Sequence, residues 1–297
     1  MNFYARVLAS LKKTGQLAQT DSVLVVAGGA SDRDALVAAG IADGTISNVD
    51  YHGGARNYEP YPWRRLDGEN LDLPDESYDW VVVHAGLHHF AIPARGVCEM
   101  LRVARKGIVC IEARDSLLMR LAVRAGITSD YELEPAFLSD GTGGGYRNGP
   151  IPNFVYRWTE REFEKTVCSF APTHRHKFFY DYGFSVPTQR YSMLSNPVRR
   201  LAGGLIALLA GIAVTIAPRQ GNQFAFGAIK NVSRQPWLTD TLAFDKAYLR
   251  HKYDKHRRAG QNSKLAFLCH RLHAISSTAA ADTSAVTAAF GGGLNCH

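Results

Sequence analysis

Apolar residues recur along this chain in two rhythms. Residues 23–27, 45–49, 79–84 and 107–113 are short apolar runs, the clearest being Val81-Val82-Val83 and the stretch around Ile108 to Ile111. Runs without polar alternation predict strands covered on both faces, the habit of a parallel sheet. Residues 31–39 and 93–103, lying between such runs, read as helices, and strand alternating with helix predicts an α/β fold. The first thirteen residues form a short amphipathic pattern, and residues 117–126 a further helix. Thr159-Glu160-Arg161-Glu162 is a capping-box pattern that starts a helix over 160–169. An aromatic, β-prone stretch over 175–186 and an apolar one over 223–229 supply the last two strands, expected to pair antiparallel.

Two segments break these rhythms. Residues 128–158 hold a cluster of glycine and proline (141–153) that supports no regular structure and reads as a lid or substrate wall. Residues 201–217 are seventeen uncharged, mostly apolar positions between Arg199-Arg200 and Pro218-Arg219. As a helix they extend about 26 Å, just short of a hydrocarbon core of roughly 30 Å. Three placements are open: a helix lying on a membrane surface, a buried or dimer-forming helix, or a true span. Strands paired in one sheet on either side of the segment argue against the span. The expected domain therefore covers residues 1–230, with the apolar helix over about 199–218. A basic helical extension follows over 231–275, and residues 276–297, rich in Ala, Ser, Thr and Gly, read as a disordered tail.

Ligands of parallel sheets lie at the carboxyl ends of the strands, and the polar residues there are informative. The first run closes on Ala27-Gly28-Gly29, where the absence of a side chain lets backbone approach a ligand. The second ends in Asp50, placed to hold two vicinal ribose hydroxyls, and the Asp67–Asn70 loop is placed to meet a base. The stretch from Asp67 to His89 carries an acid–x–x–x–Leu–Pro–x–(x)–aromatic–Asp pattern followed by a hydrophobic strand. In these residues the chain resembles the class I S-adenosylmethionine-dependent methyltransferases, in particular the type 11 group, over roughly residues 21–116. The resemblance implies a Rossmann-like seven-stranded sheet with helices on both faces, and S-adenosylmethionine as cofactor. It also implies a cofactor site of Ala27, Gly28, Gly29, Asp50, Asp67, Gly68, Glu69 and His84. One departure is visible. The family usually carries an acid where Ala27 stands and a further glycine near Ser31 or Asp32, so Asp32 or Asp34 has to supply that polarity.

Methyl transfer to a hydroxyl needs an aligned acceptor and a group to take its proton. His84, His88 and His89 are the catalytic candidates, since imidazole titrates near neutrality. Glu112 and Asp115 are alternative bases. Arg114 and Arg147 suit an acidic or phosphorylated acceptor, and Tyr156 belongs to the proposed lid. No H-x-x-x-H, cysteine cluster or paired-carboxylate pattern calls for a metal.

Charge and cysteine content add to this picture. The net +7 is uneven: residues 1–174 hold 18 basic and 22 acidic side chains, residues 175–297 hold 16 and 5. The basic C-terminal part, beside the apolar helix, fits contact with an anionic membrane surface. No Asn/Asp-Pro-Pro-aromatic motif is present to receive a flipped base, so nucleic acid is not the expected acceptor. Five scattered cysteines (Cys98, Cys110, Cys168, Cys269, Cys296) point to a reducing compartment. The N-terminus has no signal-peptide pattern. The expectation is a cytoplasmic enzyme, peripheral on the inner membrane face, that O-methylates a small or lipid-linked acceptor such as a saccharide or secondary-metabolite intermediate, with a homodimer open. Two rivals remain: a catalytically silent scaffold of the same fold, and a nicotinamide-dependent oxidoreductase, which the missing G-x-G-x-x-G disfavours.

Overall fold

The computed structural model describes residues 2–49, 58–138, 140–186 and 197–260. Asp50, the part of the C-terminal extension beyond Gly260, and residues 276–297 lie outside these. The chain divides into two compact units, parting between Arg234 and Gln235.

In the first unit, seven strands form one sheet: β1 (Ser22–Val26), β2 (Asp43–Asn48), β3 (Trp63–Arg65), β4 (Tyr78–His84), β5 (Ala104–Ala113), β6 (His174–Gly183) and β7 (Gln223–Arg234). Their order is β3-β2-β1-β4-β5-β7-β6. The pairs from β3 through β5 are parallel, and β7 runs antiparallel between β5 and β6. The apolar runs therefore become the central strands, as the two-sided burial of Val23–Val26 and Val81–Val83 requires. β3 is a strand that no apolar run marks: Trp63, Arg64 and Arg65 pair with Ile46, Ser47 and Asn48 at the sheet edge. Three edge residues, two of them exposed arginines, carry no periodicity to read.

Alternate side chains of each strand feed two cores. Val23, Val25, Trp80 and Val82 pack under α1 (Phe3–Lys13) and α2 (Ala30–Ala38), with Tyr4, Leu8, Leu11 and Leu36 opposite them. Leu24, Val26, Val81 and Val83 face α3 (Pro93–Val103) and α6 (Glu160–Phe170) through Val97, Met100, Phe163 and Val167. The N-caps explain where two of these helices begin: Asn2 Oδ1 accepts from Ala5 N–H, and Thr159 Oγ1 from Glu162 N–H.

Past β5, α4 (Leu117–Arg124) and the short α5 (Glu134–Leu138) lead through an irregular loop to α6. The apolar segment forms α7 (Pro197–Ile216), which is not a buried helix. Leu201 and Ile216 keep 77% and 81% of their surface, and Leu205, Leu208 and Leu209 are exposed as well. Among the described residues no helix is long and apolar enough to cross a membrane. The second unit contains α8 (Lys246–Gly260), a basic helix.

Candidate functional site

The strand order reverses between β1 and β4, the place where doubly wound sheets open a crevice. Both strands end there in an alanine held in the left-handed region, Ala27 at φ 53° and Ala85 at φ 51°. Such backbone costs about 1–2 kcal/mol for a residue with a Cβ and persists only where its surroundings hold it. Gly86 holds it in part, since a Cβ on this residue would meet Ala27 Cβ at 2.8 Å.

The glycine turn is closed by Asp32. Its Oδ2 accepts from Gly29 N–H at 2.8 Å, and Asp32 N–H donates to Gly29 O. The carboxylate is buried, and that burial raises its pKa against the opposing pull of His84. Gly28 and Gly29 differ in their surroundings. A Cβ on Gly28 would strike Val25 and Ile46, whereas one on Gly29 would meet nothing within 4 Å. Gly28 is thus needed for packing between β1 and β2, and Gly29 leaves open space at the start of α2. Asp34 is paired with Arg33 on the surface.

A cleft of about 500 Å³ opens at this edge. Its walls come from the ends of β1, β2 and β4 (Ala27, Asn48, Ala85), from Asp67, Gly68 and Glu69, and from His89 and Phe90. The Asp67 loop is shaped by its own contacts: Asp67 Oδ1 accepts from Glu69 N–H at 2.9 Å. Gly68 has no room for a side chain, because a Cβ would fall 2.3 Å from Phe90 Cζ and 2.7 Å from Val26 Cγ1. Glu69 is buried and caps the next turn, accepting from Ala91 and Ile92 N–H at 2.9 and 2.8 Å. Its carboxylate is therefore committed to backbone, while exposed Asp67 faces the cleft.

The Leu87–His89 turn separates the three candidate histidines. Strand alternation sends His84 to the α1 side, where its ring stacks on Tyr4 at 4.8 Å and its Nδ1 lies 3.9 Å from Asp32 Oδ1. It is not in the wall of the cleft. His88 is buried between two carboxylates, with Nδ1 2.7 Å from Glu112 Oε2 and Nε2 3.2 Å from Glu132 Oε2. Burial alone would lower its pKa, but the two carboxylates outweigh burial and raise it to about 10. His89 lines the cleft. Its Nδ1 is 3.2 Å from Gly145 O and its Nε2 3.6 Å from Glu132 Oε2. Burial, and then the neighbouring His88, lower its pKa.

Glu112 organises this turn. Oε1 accepts from Gly86 and Leu87 N–H at 2.8 and 2.7 Å, and Oε2 pairs with His88. Arg114 is likewise occupied. Its guanidinium lies over Tyr182 and Phe224, pairs with Glu160, and donates to Arg219 O at 2.6 Å. Asp115 pairs with Arg120, and Tyr156 donates to Glu162, its pKa pushed to about 12 by burial and then by that carboxylate. None of these four is in the cleft wall. Arg147 is: it comes from the 128–158 segment together with Pro135, Gly144 and Asn148, and its Nε lies 3.8 Å from Glu69.

That segment also supplies what sequence reasoning missed. Glu132 meets both histidines, Gly145 O receives His89, and Asn153 Nδ2 reaches Glu132 Oε2 at 3.4 Å and His88 O at 3.3 Å. An acid in a region with no periodicity gives little warning that it will cross back over β4.

The cleft suits S-adenosylmethionine. It offers an apolar wall (Leu66, Phe90), the acid Asp67 beside it, and the backbone of Gly68 and Gly86. Comparison with known proteins bears on the same residues. A family model described as a methyltransferase domain, that of the type 11 group, matches residues 28–111. No curated protein sequence matches. Among solved structures, a protein of Thermotoga maritima described as a SAM-dependent methyltransferase, "possible histamine N-methyltransferase", is 16% identical. The similarity covers 76% of this chain and 91% of that one, with a TM-score of 0.44. A SAM-dependent methyltransferase of Archaeoglobus fulgidus is 12% identical over 76% of this chain and 94% of its own, at 0.45. A putative methyltransferase of Bacillus halodurans is 15% identical over 76% and 99%, at 0.44. The antiparallel β7 set between β5 and β6 departs from the 3-2-1-4-5-6 order of dinucleotide-binding folds. The family match runs from the glycine turn into β5, so residues 28–111 carry a methyltransferase domain of the type 11 group, and S-adenosylmethionine is the cofactor that this match supports.

Proposed function

We propose that the protein transfers the methyl group of S-adenosylmethionine to a hydroxyl oxygen of a lipid-linked acceptor, such as a saccharide or secondary-metabolite intermediate, at a membrane surface. The observation that carries this reading is a division of the sheet's carboxyl edge. A polar cleft over β1 and β4 lies on the same edge as an apolar cavity of about 330 Å³ between α4 and α7. Leu118, Leu121, Ala122, Ile206, Ala207 and Ala210 line that cavity, and the outer face of α7 is apolar and exposed.

The cofactor supplies an electrophilic methyl on a sulfonium. Asp67 and the Gly68 turn hold its base end; Asp50, outside the described residues, is assigned the ribose on the family pattern. The left-handed backbone at Ala27 and Ala85 sets the floor of the cleft. An acceptor hydroxyl entering from the 128–158 segment meets His89 and Glu132. His89 Nδ1–H donates to Gly145 O, which leaves Nε2 bare to accept a hydrogen bond from that hydroxyl. Glu112 pins the turn that carries both histidines, so the acceptor oxygen is met by a fixed group rather than a mobile one. The apolar cavity and α7 hold the lipid part of the acceptor and orient the protein on the bilayer.

The test is methyl transfer from radiolabelled S-adenosylmethionine into two acceptor pools, a lipid extract containing lipid-linked saccharides and the corresponding free sugars. The expected result is label in the solvent-extractable pool as an alkali-stable ether. Label confined to free sugars or to nitrogen acceptors would overturn the lipid-linked oxygen acceptor.

A further inference from the structure

We propose that His88, His89 and Glu132 form a binding site for one divalent transition-metal ion of the zinc class, with an open coordination position facing the cleft. The three ligand atoms are His88 Nε2, which releases its proton as the ion binds, His89 Nε2 and Glu132 Oε2, and these groups all lie within 4.8 Å of one another. The two nitrogen-to-oxygen separations are 3.2 and 3.6 Å. Metal bonds of about 2.0–2.2 Å in a tetrahedral arrangement put neighbouring ligand atoms about 3.3–3.5 Å apart, between those two values.

The outer groups fix both imidazoles in the orientation such a site needs. The remaining nitrogen of His88 faces the buried carboxylate of Glu112 at 2.7 Å, and that of His89 faces the carbonyl of Gly145 at 3.2 Å. A carboxylate or a carbonyl behind the distal nitrogen is the usual support of a metal-bound histidine. A carbonyl only accepts, so His89 carries its hydrogen on Nδ1 and turns a bare Nε2 lone pair toward Glu132 Oε2. A lone pair and a carboxylate oxygen face each other there with no hydrogen between them, and a cation resolves the opposition. Asn153 closes the inner side through its Nδ2, while its own Oδ1 is buried without a donor among the described residues.

Ligand chemistry narrows the ion. Two imidazoles and one carboxylate favour zinc, cobalt, nickel, iron or copper over magnesium or calcium, which prefer all-oxygen cages. Three protein ligands with a fourth position open mark a catalytic rather than a structural site. His89 lines the cleft, so that position is available to water or to the oxygen of an acceptor, which then meets the ion in place of the bare His89 Nε2. The proposal rests on the methyltransferase reading only for what occupies the open position; the site itself comes from these residues alone.

Cobalt(II) is the direct probe. Tag-free protein is treated with chelator, dialysed and titrated with cobalt(II) while the visible d–d absorption is followed. The expected result is a tetrahedral-type band that saturates at one equivalent and is bleached by zinc(II). His89→Ala and Glu132→Ala, both at partly exposed positions, should lose the band or weaken binding at least 100-fold while keeping the wild-type circular dichroism. His176→Ala, on β6, should leave the titration unchanged. No saturable band in the wild type, or a band that survives both ligand variants, would overturn the site. Calorimetric titration of the same samples with S-adenosylhomocysteine keeps the two ideas apart. Cofactor binding without cobalt binding removes the metal site alone, and cobalt binding without cofactor binding removes the methyltransferase reading alone.

Discussion

The carboxyl edge of the sheet has two halves built on opposite principles. Beside β4 the polar groups that hold the Leu87–His89 turn are buried and shared: Glu112 alone accepts from two backbone N–H groups and one imidazole. Over β5, β7 and β6 the covering helices α4 and α7 leave leucines and isoleucines in contact with solvent. The first half is a place where geometry matters to fractions of an ångström. The second is a surface that gains from a partner and loses little by change. Chemistry and location are thus divided between neighbouring parts of one sheet.

Substitutions should reveal that contrast as a gradient of cost. The steepest loss is expected for Glu112→Ala, which leaves His88 and two buried N–H groups without their acceptor; such a change costs about 3–5 kcal/mol. Urea denaturation should show it, and a loss below 1 kcal/mol would mean that the turn is held by other contacts. Gly68→Ala should cost about 1–3 kcal/mol through overpacking against Phe90 and Val26. Because the clash lies in the cleft wall, cofactor affinity measured by calorimetry should fall with it. Wild-type affinity in this variant would move the cofactor away from the Asp67 loop.

The amino end of the sheet offers a smaller, pH-dependent effect. Asp79 is half-buried, which raises its pKa, but Ser22 N–H, Arg105 and Lys106 outweigh that burial and hold it below the usual carboxylate value. A depressed folded pKa means that its contribution is present above the usual aspartate pKa of about 3.9 and is lost as pH falls through the lower folded value. The urea midpoint of Asp79→Asn should accordingly be lower than wild type at pH 6 and converge with it in acid. Parallel curves would show that the carboxylate contributes nothing.

The smallest change in stability is expected on α7. Leu205→Asp with Leu209→Asp should stay within about 1 kcal/mol of wild type, as two exposed substitutions do. The same pair should abolish flotation with anionic phosphatidylglycerol vesicles. A large loss of stability, with flotation intact, would turn α7 into a helix covered by protein rather than lipid.

Much of this architecture is legible in the sequence itself. Val23–Val26 and Val81–Val83 are apolar without interruption because both faces are covered, and the Thr159 cap starts α6 where its pattern indicates. The Asp67 loop and Gly68 were recognisable as part of the cleft because the family pattern and the tight turn fall on the same residues. The histidines show what residue type alone leaves unread. His84 ends β4 and His88 lies in the turn that follows, and the two-residue alternation places His84 with Trp80 and Val82 under α1, a signal available in the strand itself. Glu112 illustrates the opposite case. A carboxylate in an apolar strand suggests a substrate contact, but here it satisfies buried N–H groups that no one-dimensional pattern reveals. Glu132, Gly145 and Asn153 come from a segment whose glycines and prolines remove periodicity, so only the fold shows that they return to β4.

Binding of S-adenosylhomocysteine to the full chain, measured by isothermal titration calorimetry with NAD as control, tests the central claim most directly. The account predicts one-to-one micromolar binding of S-adenosylhomocysteine, weakened in Gly68→Ala, and none of NAD. Folded protein that binds no S-adenosylhomocysteine, or that binds NAD instead, would contradict it.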